Sequence, residues 1–142
     1  MKKYIMTAIF STLITTHTSY TFAKTSEHEV LFSQGTNIQN LQGSFKGYDN
    51  IQYTITAKEG QILKFDLTST HDLAYINIFT PGDKPGEANA LLIGSIVGSK
   101  GELKLPVSGQ YILQVYQMRN TARKNKTVNF KLKLQILNPL KE

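Results

Sequence analysis

The chain has 142 residues, sixteen lysines and arginines against ten acids, a formal net charge of +6, and no cysteine. Without cysteine it has no disulfide, no thiol nucleophile and no thiolate metal site, so an apolar core must hold it together. The charge is uneven: Lys24–Glu102 carries six lysines against nine acids, whereas Leu103–Glu142 carries six lysines and two arginines against Glu142 alone. A basic end on a small domain points to an acidic partner or to a well-solvated surface.

The first segment reads as a secretory leader. Lys2 and Lys3 precede the mostly apolar stretch Tyr4–Ile14, and Thr21-Phe22-Ala23 offers small residues where a signal peptidase reads, which predicts cleavage after Ala23. The apolar stretch is too short to span a bilayer. No cysteine follows it, so no lipoprotein anchor is expected. The domain is then 24–142, long enough for one core.

From Lys24 to Glu29 the chain is polar and is expected to be a loose lead-in, with Val30-Leu31-Phe32 a short first strand. The segment to Gln42 is weakly patterned, and Gly47 in SFKGY marks a bend. Ile51, Tyr53, Ile55 and Ala57 alternate with polar residues, as a half-buried strand does. After a Lys58-Glu59-Gly60 turn, Leu63, Phe65 and Leu67 repeat the pattern. Thr68–Asp72 breaks it, and Leu73–Thr80 is another strand. Pro81–Asn89 is a loop on its proline and glycine content. Ala90–Val97 is an apolar run expected to be a buried strand bulged at Gly94. Gly98–Gly101 turns, and Leu103, Leu105 and Val107 alternate around Pro106, the mark of an edge strand.

Ser108-Gly109 turns the chain into a strand in which Tyr111, Leu113 and Val115 share a face. The last strand carries Val128, Phe130, Leu132, Leu134 and Ile136 inward. Tyr111–Met118 and Val128–Leu137 are expected to be neighbours in a hairpin, joined by the long basic loop Arg119–Thr127. With no helical periodicity after residue 23, the fold class is all-β: a single antiparallel β-sandwich, jelly-roll-like, of about eight or nine strands.

No catalytic constellation is evident. His28 and His71 are the two histidines after the leader, and neither has a defensible nucleophile beside it. Asp72, Asp83 and Glu87 match no calcium-loop spacing, and there is no phosphate-binding glycine loop or zinc pattern. Neither a cofactor nor a metal is expected. Nucleic acid would suit Arg119, Arg123, Lys124, Lys126, Lys131 and Lys133 near Tyr116, but export argues against a genomic target. A binding module remains. Both arginines of the chain, Arg119 and Arg123, lie four residues apart in the basic loop with no acid nearby in sequence. A guanidinium is suited to gripping a carboxylate, although plain solubility also suits a loop tip.

The block SGQYILQVYQMRNTARKNKT, Ser108–Thr127, follows the leucine-alternating ELKLPV and precedes a lysine-studded strand. With KGYDN at Lys46–Asn50 and AKEGQ at Ala57–Gln61, it resembles the bacterial periplasmic inhibitors of goose-type (g-type) lysozyme. The RN-x-ARKNK piece is the most specific element. The resemblance implies an exported, non-enzymatic β-sandwich whose loops plug the cleft of a host lysozyme, meet its catalytic acids and protect peptidoglycan. Its implied contacts are Tyr48, Arg119, Asn120, Arg123, Ser108 and Gly109. Tyr111 shares a face with Leu113 and Val115 and is expected in the core, and Ser108-Gly109 is equally readable as an ordinary turn. Gln114 stands where the family more often has a basic residue. The implied partner is a g-type lysozyme, in the periplasm and without a membrane anchor. The alternatives are an inhibitor of a chicken-type (c-type) or invertebrate-type (i-type) enzyme, or a glycan- or calcium-binding module.

Overall fold

A computed structural model describes residues 22–140; all but the last two residues of the expected leader lie outside the described residues. Nine strands run in chain order: β1 Thr25–Val30, β2 Ile38–Lys46, β3 Asn50–Ala57, β4 Ile62–Ser69, β5 Ala74–Phe79, β6 Leu92–Ile93, β7 Lys100–Lys104, β8 Gly109–Gln117 and β9 Thr127–Leu137. Among the described residues three single helical turns interrupt them, a 3-10 turn at Thr70–Asp72, α1 Gly94–Val97 and α2 Arg119–Ala122. One sheet has the order β1-β3-β8-β5-β6 and the other β2-β9-β4-β7.

The pairing explains the order. β2 pairs β9, β3 pairs β8, β4 pairs β7 and β5 pairs β6, all antiparallel. The chain is thus one long hairpin, folded back at β5 and β6, whose two arms are rolled together. The cross-links β4–β9 and β5–β8 then close each sheet. This is the jelly-roll arrangement of eight strands, with β1 added.

Period-two patterning decides which residues face inward. Val128, Phe130, Leu132, Leu134 and Ile136 of β9 meet Tyr111, Leu113 and Val115 of β8, with Ile55, Leu63, Phe65, Ile76 and Ile78, in one continuous core. Fully burying each contributes about 1.5–3 kcal/mol.

Three expectations are corrected, and one weakly patterned stretch is assigned. The polar stretch from Lys24 to Glu29 is not a loose lead-in, because most of it forms β1, parallel to β3. Its charged side chains face solvent, as suits an edge strand, so no apolar pattern announced it. The weakly patterned stretch to Gln42 belongs largely to β2. There Gly43 takes an inward position because Phe130 fills the space: a Cβ would stand 2.7 Å from that ring. The Ala90–Val97 run is not a buried strand. Only Leu92–Ile93 pairs, and the chain then coils into α1 with Ile96 and Val97 exposed. Finally, β8 and β9 are not hairpin neighbours but lie in opposite sheets, since alternation fixes the buried face of a strand and not its partner.

Candidate functional site

Rolling the hairpin gathers its connections at two ends. At one end lie the β2–β3 turn, the β4–β5 connection, α1 and the β8–β9 loop. At the other lie the β3–β4 turn, the β5–β6 loop and the β7–β8 turn. The strand β8 joins the two ends. Its nine residues put them about 26 Å apart at roughly 3.3 Å per residue.

The first end holds Tyr48 and the basic loop. Gly47, at φ +59, turns the chain in a conformation that favours glycine, and a Cβ there would stand 2.8 Å from the Asn125 side-chain oxygen, which would have to shift. The Gly47 N–H donates to the Lys126 carbonyl at 3.0 Å. The same carbonyl accepts the Gln117 side-chain amide at 2.8 Å. Gln117 is the buried polar residue of the core, and sequence reading passed over it. Its alternation with the apolar residues of β8 places it inward, where its amide nitrogen finds the Lys126 carbonyl while its Oε1 has no partner among the described residues. Together these bonds seat the Tyr48 turn against the β8–β9 loop, and Tyr48 itself stands 53 % exposed.

The loop is not irregular. Ala122 N–H donates to the Met118 carbonyl, Arg123 N–H to Arg119, and Asn125 N–H to Ala122, while Ala122 is buried beneath the turn. Asn120 Oδ1 accepts the Thr121 N–H and the Thr121 hydroxyl donates to the Met118 carbonyl, so local bonds fix this turn. Residues four apart on a helical turn share a face, and that spacing is the one between Arg119 and Arg123. Both are exposed. The ion pairs among the described residues are Lys64–Glu102 and Lys100–Asp66, so neither guanidinium has an internal acid.

The β4–β5 connection stands at the same end. The Ser69 hydroxyl accepts the Ala74 N–H, and the Thr70 hydroxyl bonds the backbone of Asn129. Between these braces His71 and Asp72 both sit at positive φ, 51° and 53°, a conformation that costs a non-glycine residue about 1–3 kcal/mol.

Ser108 and Gly109 are at the other end. The Ser108 hydroxyl accepts the Glu59 N–H at 2.9 Å, and Gly109, at φ +147, lies against the Pro81 ring, where a Cβ would stand 2.9 Å away. Tyr111 is fully buried, and its hydroxyl bonds both the carbonyl and the N–H of Val107. The Ser-Gly-x-Tyr piece therefore ties three connections together. Gln114 lies midway on the outer face of β8, where its amide reaches Asn50 Oδ1 at 3.4 Å. Among the described residues no three of His, Cys, Asp and Glu gather as a metal would need, and no helix is long and apolar enough to cross a membrane.

Exposed donors on braced loops at one end of a jelly roll are suited to binding. No family model matches the chain. A curated Escherichia coli K12 protein named inhibitor of g-type lysozyme is 36 % identical over 119 residues, covering 84 % of this chain and 87 % of the relative. The crystal structure of Aeromonas hydrophila PliG, described as a periplasmic lysozyme inhibitor of g-type lysozyme, superposes with a TM-score of 0.75 at 37 % identity. It covers 82 % of this chain and 100 % of that one. The Salmonella Typhimurium PliG structure gives a TM-score of 0.61 at 33 % identity over 79 % and 98 %. The chain belongs to the family of periplasmic inhibitors of g-type lysozyme.

Proposed function

We propose that this protein is exported, loses its leader after Ala23, and inhibits g-type lysozyme in the periplasm by entering the substrate cleft with the Tyr48 turn and the basic loop. The observation that carries this is the shared Lys126 carbonyl: two donors from different elements, Gly47 and Gln117, seat exposed Tyr48 beside a loop bearing two arginines with no ion-pair partner among the described residues.

The chemistry suits a glycosidase. Such an enzyme works with carboxyl groups flanking its cleft. An arginine fork placed among them makes charge-assisted hydrogen bonds worth about 1.5–3 kcal/mol each. Tyr48 adds a rigid aromatic surface with one polar tip, and Asn120 stands beside Arg119 at the start of the loop. Ser108 and Gly109, about 26 Å away along β8, contribute to the fold rather than to this contact. The chain after Ala23 carries twelve lysines and two arginines against ten acids. If the lysozyme is itself basic, long-range attraction contributes little, and affinity rests on complementarity inside the cleft.

The test is turnover of bacterial cell walls by purified g-type, c-type and i-type lysozymes with and without the protein. Inhibition of the g-type enzyme alone, near equimolar ratio, is expected. Full g-type activity in excess protein overturns the proposal.

A further inference from the structure

The Tyr48 turn, Gly47–Asp49, and the loop Met118–Lys126 supply three and nine residues. A stable protein–protein interface needs roughly 20–30 residues a side and an apolar centre. These two basic and polar segments supply about half of that and little of the apolar part. The adjoining surface supplies the rest. At the same end α1 exposes Ile96 and Val97, Ile96 to 78 %.

The turn beneath Ile96 is fixed in place. Gly94 lies directly on the β5 backbone, so close that a Cβ would collide with the Ile76 carbonyl oxygen. Asn77 Oδ1 accepts both the Gly94 N–H, at 3.2 Å, and the Tyr116 hydroxyl, at 3.3 Å. Burial pushes the Tyr116 phenol above its ordinary value, against the opposing pull of the Ser95 and Asn77 side chains. Tyr75 packs its ring 6.1 Å from that of Tyr116. Two residues beyond Tyr116, just past the end of β8, comes exposed Met118, and Arg119 is next. α1 thus stands at the same end as the basic loop on a preorganised base, the condition under which an exposed side chain binds with least loss of freedom.

We propose that Ile96, supported by Val97 and Met118, is a second anchor of the inhibitor, packing on an apolar part of the lysozyme surface beside its cleft while the arginines occupy the cleft. This rests on the lysozyme reading above. It adds a contact of opposite chemistry, apolar and insensitive to salt, to one that salt screens.

The experiment is the inhibition constant of Ile96→Ser and Ile96→Leu against g-type lysozyme at low and high salt, with melting temperatures and sedimentation of the free proteins. Ile96→Ser is expected to weaken inhibition at least tenfold, equally at both salt concentrations, without lowering the melting temperature, and Ile96→Leu to retain inhibition. Wild-type inhibition with an unchanged constant for Ile96→Ser overturns the anchor and leaves the proposed function standing. A wild-type protein that does not inhibit overturns both. A wild-type dimer that Ile96→Ser dissolves, with inhibition unchanged, assigns the patch to a second copy and likewise overturns the anchor.

Discussion

The two ends of the sandwich both spend small polar side chains on their own backbone, and they differ in what is left over. At the end that holds Ser108, polar side chains are consumed by the protein's own backbone: the Ser108 hydroxyl by Glu59 and the Tyr111 hydroxyl by Val107. At the end that holds Tyr48, Ser69, Thr70, Asn120, Thr121 and Gln117 are consumed in the same way, but Arg119 and Arg123 are left without an acid among the described residues. A conspicuous tyrosine or serine therefore says little until its hydrogen bonds are counted. Where the fold has already used them, the residue holds. Where it has not, the residue is free to bind.

That contrast is broken most forcefully by removing the free cations. Arg119→Ala and Arg123→Ala are each expected to raise the inhibition constant against g-type lysozyme by roughly ten- to a hundredfold, the equivalent of about 1.5–3 kcal/mol. The double variant should lose inhibition while its melting temperature holds. Equal inhibition by the double variant would remove the arginines from the mechanism. Gly47→Ala tests the frame. Strain at φ +59 and the collision with Asn125 are expected to cost about 1–2 kcal/mol in denaturant unfolding, and to weaken inhibition by displacing Tyr48. Tyr111→Phe, at the opposite end, leaves the Val107 backbone short of its partner. It should cost about 1–3 kcal/mol of stability with no change in inhibition at temperatures where it remains folded. Ser108→Ala is the smallest change, about 1 kcal/mol in unfolding, again with inhibition intact. A loss of inhibition in Ser108→Ala at full stability would join the two ends functionally and refute the division.

Much of the fold was legible because alternation writes the buried face directly into the chain. β3, β4 and β9 follow from Ile51–Ala57, Leu63–Leu67 and Val128–Ile136 without a third dimension. β1 escaped because an edge strand with charged side chains has no apolar period to show. Gly43 concealed part of β2 for a different reason: the volume at its position is filled from another strand, by Phe130. Strand partners were not legible at all, and β8 and β9 were misassigned as neighbours because sequence proximity stood in for pairing. The conformation of Arg119–Ala122 is a single turn, too short to leave a period, yet the four-residue spacing of the two arginines was its trace. Tyr48 was brought to the edge by family resemblance alone, and the physical link, the Lys126 carbonyl, depends on a glycine and a buried amide that no local pattern marks as functional. The exposure of Ile96 was hidden by its apolar neighbours, which read as a buried run until Gly94 was seen to turn the chain outward.

The residue after Tyr48 has a partner from far earlier in the chain. Asp49 accepts the backbone N–H of Lys24 at 2.7 Å, and Asn50 N–H donates to the Lys24 carbonyl at 3.0 Å. In the unprocessed precursor the Lys24 nitrogen is a neutral amide. Cleavage after Ala23, as proposed, makes it an α-ammonium, and the same contact becomes a charge-assisted bond of the stronger kind. The peptidase that releases the chain would then also complete the brace next to Tyr48, so that maturation and the readiness of the edge are one event, and a precursor still carrying its leader lacks that charge.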